Sequence, residues 1–246
     1  MIEEQVLRNH AVRLQTSFRN ILREYLQHLF LTDFYKKDGS RNFLFKGGTA
    51  LRIVFDSPRF SEDLDFSGLK NSVNYEKILE EVLLNFYFES IETNLIESKP
   101  TSGGHLAILG FNLFGEELEL RNEISFRPQK DLTRETAMNA SKITPAYIIY
   151  LLDKRIIVKE KVDALITRQK SRDFFDLYFI LRSEELRRVL RIKSQKRTKI
   201  VSLLAKQNKA KIAKELKRLL PKSFWGLIKD LPGALKRELE RKDLTS

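Results

Sequence analysis

The chain has 246 residues, 42% of them hydrophobic and 10% aromatic, with a formal net charge of +12. That supports a packed core in one large domain or two small ones and excludes a disordered chain. No cysteine is present, which excludes disulfides and thiolate metal sites and fits a cytoplasmic protein.

The opening MIEEQVLRNH carries early acids and no apolar run, so no secretory signal is expected. No stretch approaches the ~18 uncharged apolar residues of a membrane helix. Residues 2–31 predict one long amphipathic helix, with Leu7, Ala11, Leu14, Phe18, Ile21, Tyr25 and Leu29 at helical spacing. A loop follows at Lys36–Arg41, then NFLF as a short buried strand ending at Lys46. After Gly47 and Gly48, Thr49 is expected to cap a short helix, ALRIVFD. SPRFSE is a loop, DLDFS a strand and NYEKILEEVLLNFYFES a helix. Residues 91–99, 105–113 and 118–126 read as strands, turned at SGG and FGEE. From Ala146 onward the pattern is helical, with breaks at Pro221 and Pro232. The expected fold is α+β, with an α/β half over 1–145 and a helical half over 146–246, joined near 127–146.

Paired glycines after a strand permit a close approach that a Cβ would forbid. The free N–H groups of a helix starting there suit a phosphate, to which Thr49 can add a hydroxyl. The spacing is not that of a P-loop. In DLD, Asp63 and Asp65 fall on one strand face, and Leu64 and Phe66 on the other. Two adjacent carboxylates repel unless a cation lies between them, and Mg²⁺ commonly takes one or two carboxylates plus phosphate oxygens. A bare D-x-D also occurs on a solvated edge strand; the preceding Gly-Gly-Thr turn favours the metal. In LELRNEISF, Glu119, Arg121, Glu123 and Ser125 share a face. Glu123 either completes a three-carboxylate cluster, as metal ligand or general base, or pairs with a basic neighbour.

Further on, Lys161, Leu165, Arg168 and Arg172 form one helical stripe, suited to clamping a triphosphate. Arg172 and Asp176 stand at i, i+4, a spacing that also simply stabilises a helix, and Asp173 and Asp176 are expected to orient the arginines or cap the packing. Between Arg182 and Lys222 lie 15 Lys and Arg against 3 Glu, so the whole excess charge sits there. That suits RNA, with Lys206, Lys209, Lys211 and Lys214 the expected contacts; the alternative is a solvated helical face. His10, His28 and His105 are scattered and make no zinc site. Trp225 with Phe224 reads as a packing anchor.

FKGGTAL, RFSEDLDF, EIS and KVDALITRQKSRDFFDLYFIL, in this order, resemble the blocks of the AbiEii/AbiGii toxin family, within the DNA polymerase β-type nucleotidyltransferase superfamily. The resemblance covers roughly residues 40–182. It implies a nucleotidyltransferase-type N-terminal half with a mixed sheet, and Mg²⁺ or Mn²⁺ on Asp63 and Asp65, with Glu123 and Lys161 also catalytic. It carries Lys46, Gly47, Gly48, Thr49, Arg59, Ser61, Asp163, Arg168, Arg172 and Asp176 into the nucleotide site. The implied protein is the toxin of a toxin–antitoxin pair, using an NTP, an RNA acceptor such as tRNA and a cognate antitoxin. A protein acceptor, and a non-catalytic nucleotide- or RNA-binding protein, are the alternatives; the intact Asp63 and Asp65 argue against a retired site.

Overall fold

The computed structural model describes residues 2–69, 74–126 and 133–241. It divides into two compact units: residues 1–56 with 60–152, and residues 57–59 with 153–246. Part of the expected linker, 127–132, lies outside the described residues.

The first unit opens with two helices, α1 (Glu4–Arg13) and α2 (Phe18–Phe34), rather than the single helix expected. Gln15 adopts φ 52°, and the Ser17 hydroxyl accepts from Asn20 N, so Ser17 caps a new helix. The apolar periodicity runs straight through this break, which is why it hid the cap.

Strand β1 (Phe43–Lys46) leads into α3 (Gly47–Ile53), and β2 spans Asp63–Gly68. Helix α4 (Tyr75–Phe88) precedes the meander of β3 (Glu92–Thr101), β4 (Gly104–Leu113) and β5 (Glu116–Ser125). Two further strands, β6 (Arg134–Asn139) and β7 (Tyr147–Leu152), were not anticipated. The run YIIYLL was expected to open the helical half; a short, wholly apolar segment fits a buried strand or a helix equally by periodicity. The seven strands form one mixed sheet in the order β3-β4-β5-β2-β1-β7-β6. Strand β2 is central, antiparallel to β1 and parallel to β5.

That position explains the alternation in DLDF. Leu64 and Phe66 are fully buried, while Asp63 and Asp65 are half-buried on the opposite face. Phe66 meets Phe34 of α2 at 5.1 Å between ring centroids, Phe34 meets Phe43 of β1 at 5.8 Å, and Phe43 meets Tyr75 of α4 at 5.7 Å. Each such ring contributes ~2 kcal/mol through burial. The aromatic cluster thereby holds the strand that carries the two aspartates.

The second unit is helical among its described residues: α5 (Lys154–Arg168), α6 (Ser171–Arg182), α7 (Glu184–Val189), α8 (Ser194–Ala205), α9 (Lys209–Leu216), α10 (Trp225–Ile228) and α11 (Leu231–Glu240). Helix α6 supplies its centre through Phe174, Phe175, Leu177 and Ile180, all at or near zero exposure. No described helix is long and apolar enough to cross a membrane.

His28 ties α2 to the β6–β7 ribbon. Its Nδ1 lies 2.7 Å from Tyr147 Oη and 2.9 Å from Asn139 Nδ2. Burial pushes its pKa down to about 4; nearby Glu24 opposes the shift and Arg52 adds to it. Between the ordinary value of ~6.5 and about 4, the unfolded chain binds a proton that the folded chain refuses. The stability contributed by neutral His28 is therefore complete above pH ~6.5 and is lost as the pH falls toward 4. Relative to pH 7, His28 should cost the wild type roughly 2 kcal/mol at pH 5. Urea unfolding at both pH values should show a smaller pH effect in His28→Gln, which cannot titrate; equal losses in the two proteins would refute the assignment.

Candidate active site

The two aspartates and the glycine turn meet directly. Gly47 has φ +82°, a backbone conformation that favours glycine. A Cβ placed there would lie 1.9 Å from Asp65 Oδ2 and 2.8 Å from Asp65 Cβ. Strand pairing sets this approach, because Lys46, just before the glycine, is in register with Asp65. Helix α3 starts at Gly47, not at Thr49, and Lys46 occupies its cap position without a side-chain cap. Thr49 is fully buried, and its hydroxyl donates to the backbone carbonyl of Asp63. Thr49 thus ties α3 to the start of β2 instead of capping the helix.

Glu123 of β5 is in register with Asp65, and Arg121 with Asp63, so all four side chains share one face of the sheet. Glu123 is exposed, and its Oε1 accepts from Arg121 Nε at 2.6 Å. Among the described residues no group of three His, Asp or Glu is close enough to hold a metal, and Glu123 takes the second of its two expected roles, pairing with a basic neighbour. The donor set does fit a hard divalent cation through Asp63 and Asp65 alone. They are two oxygen donors on one strand face beside a turn whose first residue carries no side chain, and a hard cation takes such carboxylates together with substrate oxygens. A cavity of about 640 Å³ lies farther along the same sheet, lined by Arg19, Glu117 and Glu119 among others, and includes neither aspartate.

Ser61 is half-buried, and its carbonyl accepts from Gln27 Nε2 at 3.0 Å. Arg59 belongs to the second unit and is 2% exposed. Its Nε donates to Asp176 Oδ1 at 2.6 Å and its Nη2 to Oδ2 at 3.0 Å, while Lys161 Nζ reaches the same Oδ2 at 2.8 Å. Asp176 is a fully buried carboxylate held between these two cations. Burial opposes its ionisation, but the charges and hydrogen bonds of Arg59 and Lys161 prevail and lower its pKa to about 2. The cluster holds two cations and one anion.

The cationic stripe is partly turned inward. Lys161 is 8% exposed and Leu165 fully buried. Arg168 is half-exposed and bonds Asp173 Oδ1 at 2.8 Å, the orienting role expected of Asp173. Asp163 is engaged by Lys159 at 3.0 Å and by Lys196 of α8. Lys206, Lys209, Lys211 and Lys214 are all exposed, with Lys209 bridging to Asp230 at 2.8 Å. The Arg59–Asp176 pair, 117 residues apart, left no local signal in the sequence. The Arg121–Glu123 pair did leave one, since alternation put both residues on one face.

A family model described as "Nucleotidyl transferase AbiEii toxin, Type IV TA system" matches residues 29–224. The chain belongs to the AbiEii nucleotidyltransferase toxin family. It is therefore a toxin nucleotidyltransferase, and membership implies an NTP substrate and an antitoxin counterpart. Its fold is shared with MenT4, a nucleotidyltransferase toxin of Mycobacterium tuberculosis (TM-score 0.62, 15% identity, covering 98% of this chain and 89% of that one). It is shared as well with JHP933 of Helicobacter pylori (TM-score 0.56, 20% identity, covering 92% and 95%). Among curated proteins, none matches the chain in sequence.

Gly47→Ala should lower nucleotidyl transfer at least ~100-fold, because the turn or Asp65 must move by more than the ~1 Å misplacement that already costs about that much. Circular dichroism should show the fold retained, and near-wild-type turnover would refute the close approach. Asp176→Asn leaves Arg59 and Lys161 buried without a carboxylate and should cost ~3–5 kcal/mol of stability in chemical unfolding. The contribution of ionised Asp176 is complete above pH 3.8 and lost as the pH falls through about 2.

Proposed function

We propose that the chain transfers a nucleotidyl group from an NTP to a hydroxyl of an RNA acceptor, using a divalent cation held by Asp63 and Asp65. The observation that carries this reading is the approach of Asp65 to Gly47, which sets a carboxylate pair against the glycine turn between β1 and α3. In the reaction, the acceptor oxygen bonds to the α-phosphorus and the bond from that phosphorus to the bridging oxygen breaks. Pyrophosphate leaves, and the acceptor proton passes to a base. Glu123, on the same sheet face as the aspartates, is the carboxylate we assign to take that proton, exchanging its pairing with Arg121 for the acceptor. When bound, Mg²⁺ or Mn²⁺ supplies neutralisation of triphosphate charge.

The backbone of Gly47 and Gly48 contacts phosphate, and Thr49 positions β2 through the Asp63 carbonyl. Lys46 and Ser61 join the nucleotide site on the strength of the resemblance. In the second unit, Lys161, Arg168 and Arg172 act on phosphate, and Arg59 and Asp176 fix the Lys161 ammonium. The surplus positive charge of the Arg59–Asp176–Lys161 cluster supports this assignment. RNA is favoured as acceptor by the exposed lysines of α9 and its approach, and the reaction belongs in the cytoplasm, where NTP and RNA are available.

Incubation with each α-labelled NTP and total RNA tests the reading. Label is expected on RNA; label on protein would establish the protein acceptor instead, and label on neither would overturn the transferase reading. Asp63→Ala and Asp65→Ala should each abolish transfer in a folded protein. Glu123→Gln should lower kcat ~10²- to 10⁴-fold with little change in nucleotide affinity. Replacing Lys206, Lys209, Lys211 and Lys214 together with Gln should weaken RNA binding and flatten its log–log salt dependence by ~2 to 4. Normal acceptor modification by this variant at physiological salt would exclude the lysines from RNA binding.

A further inference from the structure

A second cationic feature of the C-terminal unit matches none of the family blocks' expected roles. A cleft of about 300 Å³ between the first half of α5 and the end of α7 is lined by Arg155, Val158, Lys159, Arg188, Val189 and Arg191. Four of these six residues are cations, and the two valines supply an apolar wall. The volume is at the lower end of what holds small molecules.

The charges are unevenly matched. Asp153, 4% exposed, grips Arg155 through both carboxylate oxygens, and Glu184 pairs with Arg188. Lys159 pairs with Asp163, which Lys196 shares. Arg191 has no carboxylate partner among the described residues; its Nη1 donates to the Arg188 and Leu190 carbonyls, at 2.9 Å each. Of the four cations lining the cleft, three meet a carboxylate, and one of those carboxylates, Asp163, is shared with Lys196. Moreover, Arg155 and Arg191 are anchored before any ligand arrives, so less side-chain entropy is lost on binding an anion. An apolar wall beside fixed guanidinium groups suits a phosphate carrying a sugar rather than a bare inorganic ion.

We infer that this cleft binds a backbone phosphate of the RNA acceptor. The inference rests on the RNA-acceptor reading above. Phosphate chemistry alone would also admit a free nucleotide, so the test includes both sources.

The test uses the full chain without added metal or NTP, titrated against a fluorescent single-stranded RNA of mixed sequence at several salt concentrations. Arg188→Gln combined with Arg191→Gln should weaken RNA binding about tenfold. The log–log salt slope should become shallower by roughly 0.7 to 1.4, the loss of one or two single-strand phosphate contacts. Binding of ATP, GTP, CTP and UTP, titrated separately with Mg²⁺, should match the wild type. Arg188→Glu, a single change at an exposed side chain, should weaken RNA binding in the same direction and guards against a folding defect in the double variant. If the wild type binds RNA and both variants bind it equally well, the cleft assignment fails while the RNA-acceptor reading stands. A parallel fall in NTP affinity would show that the cleft takes free nucleotide, overturning the inference. A wild type that binds no RNA would overturn both readings.

Discussion

Everything on the carboxylate face depends on Gly47 having no side chain. The Asp65 carboxylate occupies the space a Cβ would need, and the positive φ of Gly47 brings the chain out of β1 in the direction that makes this possible. The same strand binds the site to the core. In the register that pairs Lys46 with Asp65, Phe45 pairs with Phe66, one residue along and on the opposite face. A slip of a single residue would drive a carboxylate into the aromatic cluster and expose Phe66. The burial that stabilises the first unit therefore also fixes which way its two aspartates point. Thr49 adds a local tie to the same end of β2, by giving its buried hydroxyl to the Asp63 carbonyl.

The second unit handles charge differently. Asp176 is removed from water entirely, a cost that only close cations can offset. Arg59 meets it with two donors in the planar geometry a guanidinium favours, and Lys161 takes what remains of Oδ2. A hydrophobic replacement of similar shape could be as stable, so stability alone does not explain the triad. What the carboxylate provides is a fixed position for the Lys161 ammonium.

The C-terminal charge excess is also more structured than a simple count suggests. Arg182 is held by Glu238, Lys196 by Asp163 and Lys209 by Asp230, all acids from outside the basic stretch itself. Such partly exposed pairs are individually weak and screened by salt, so they orient side chains more than they stabilise the fold. The exposed Lys211 and Lys214 of α9 lie outside these pairs, as does Arg191 at the α5–α7 cleft, whose guanidinium bonds backbone carbonyls instead.

The sequence by itself determined the local periodicities and their chemical consequences. Alternation placed Asp63 and Asp65 on one face of a strand, the glycine pair marked a tight turn, and the ordered blocks identified the family. It also placed Arg121 beside Glu123 on one face, although the competing metal cluster was drawn from the same pattern. Only the tertiary structure decided that Glu123 bonds Arg121 rather than joining the aspartates, that YIIYLL is a strand, and that the Thr49 hydroxyl serves the backbone. The pairing of Arg59 with Asp176 likewise appeared only there. Periodicity is a property of neighbours along the chain, whereas the partner of a buried charge is chosen by whichever distant group can reach it once water has been excluded.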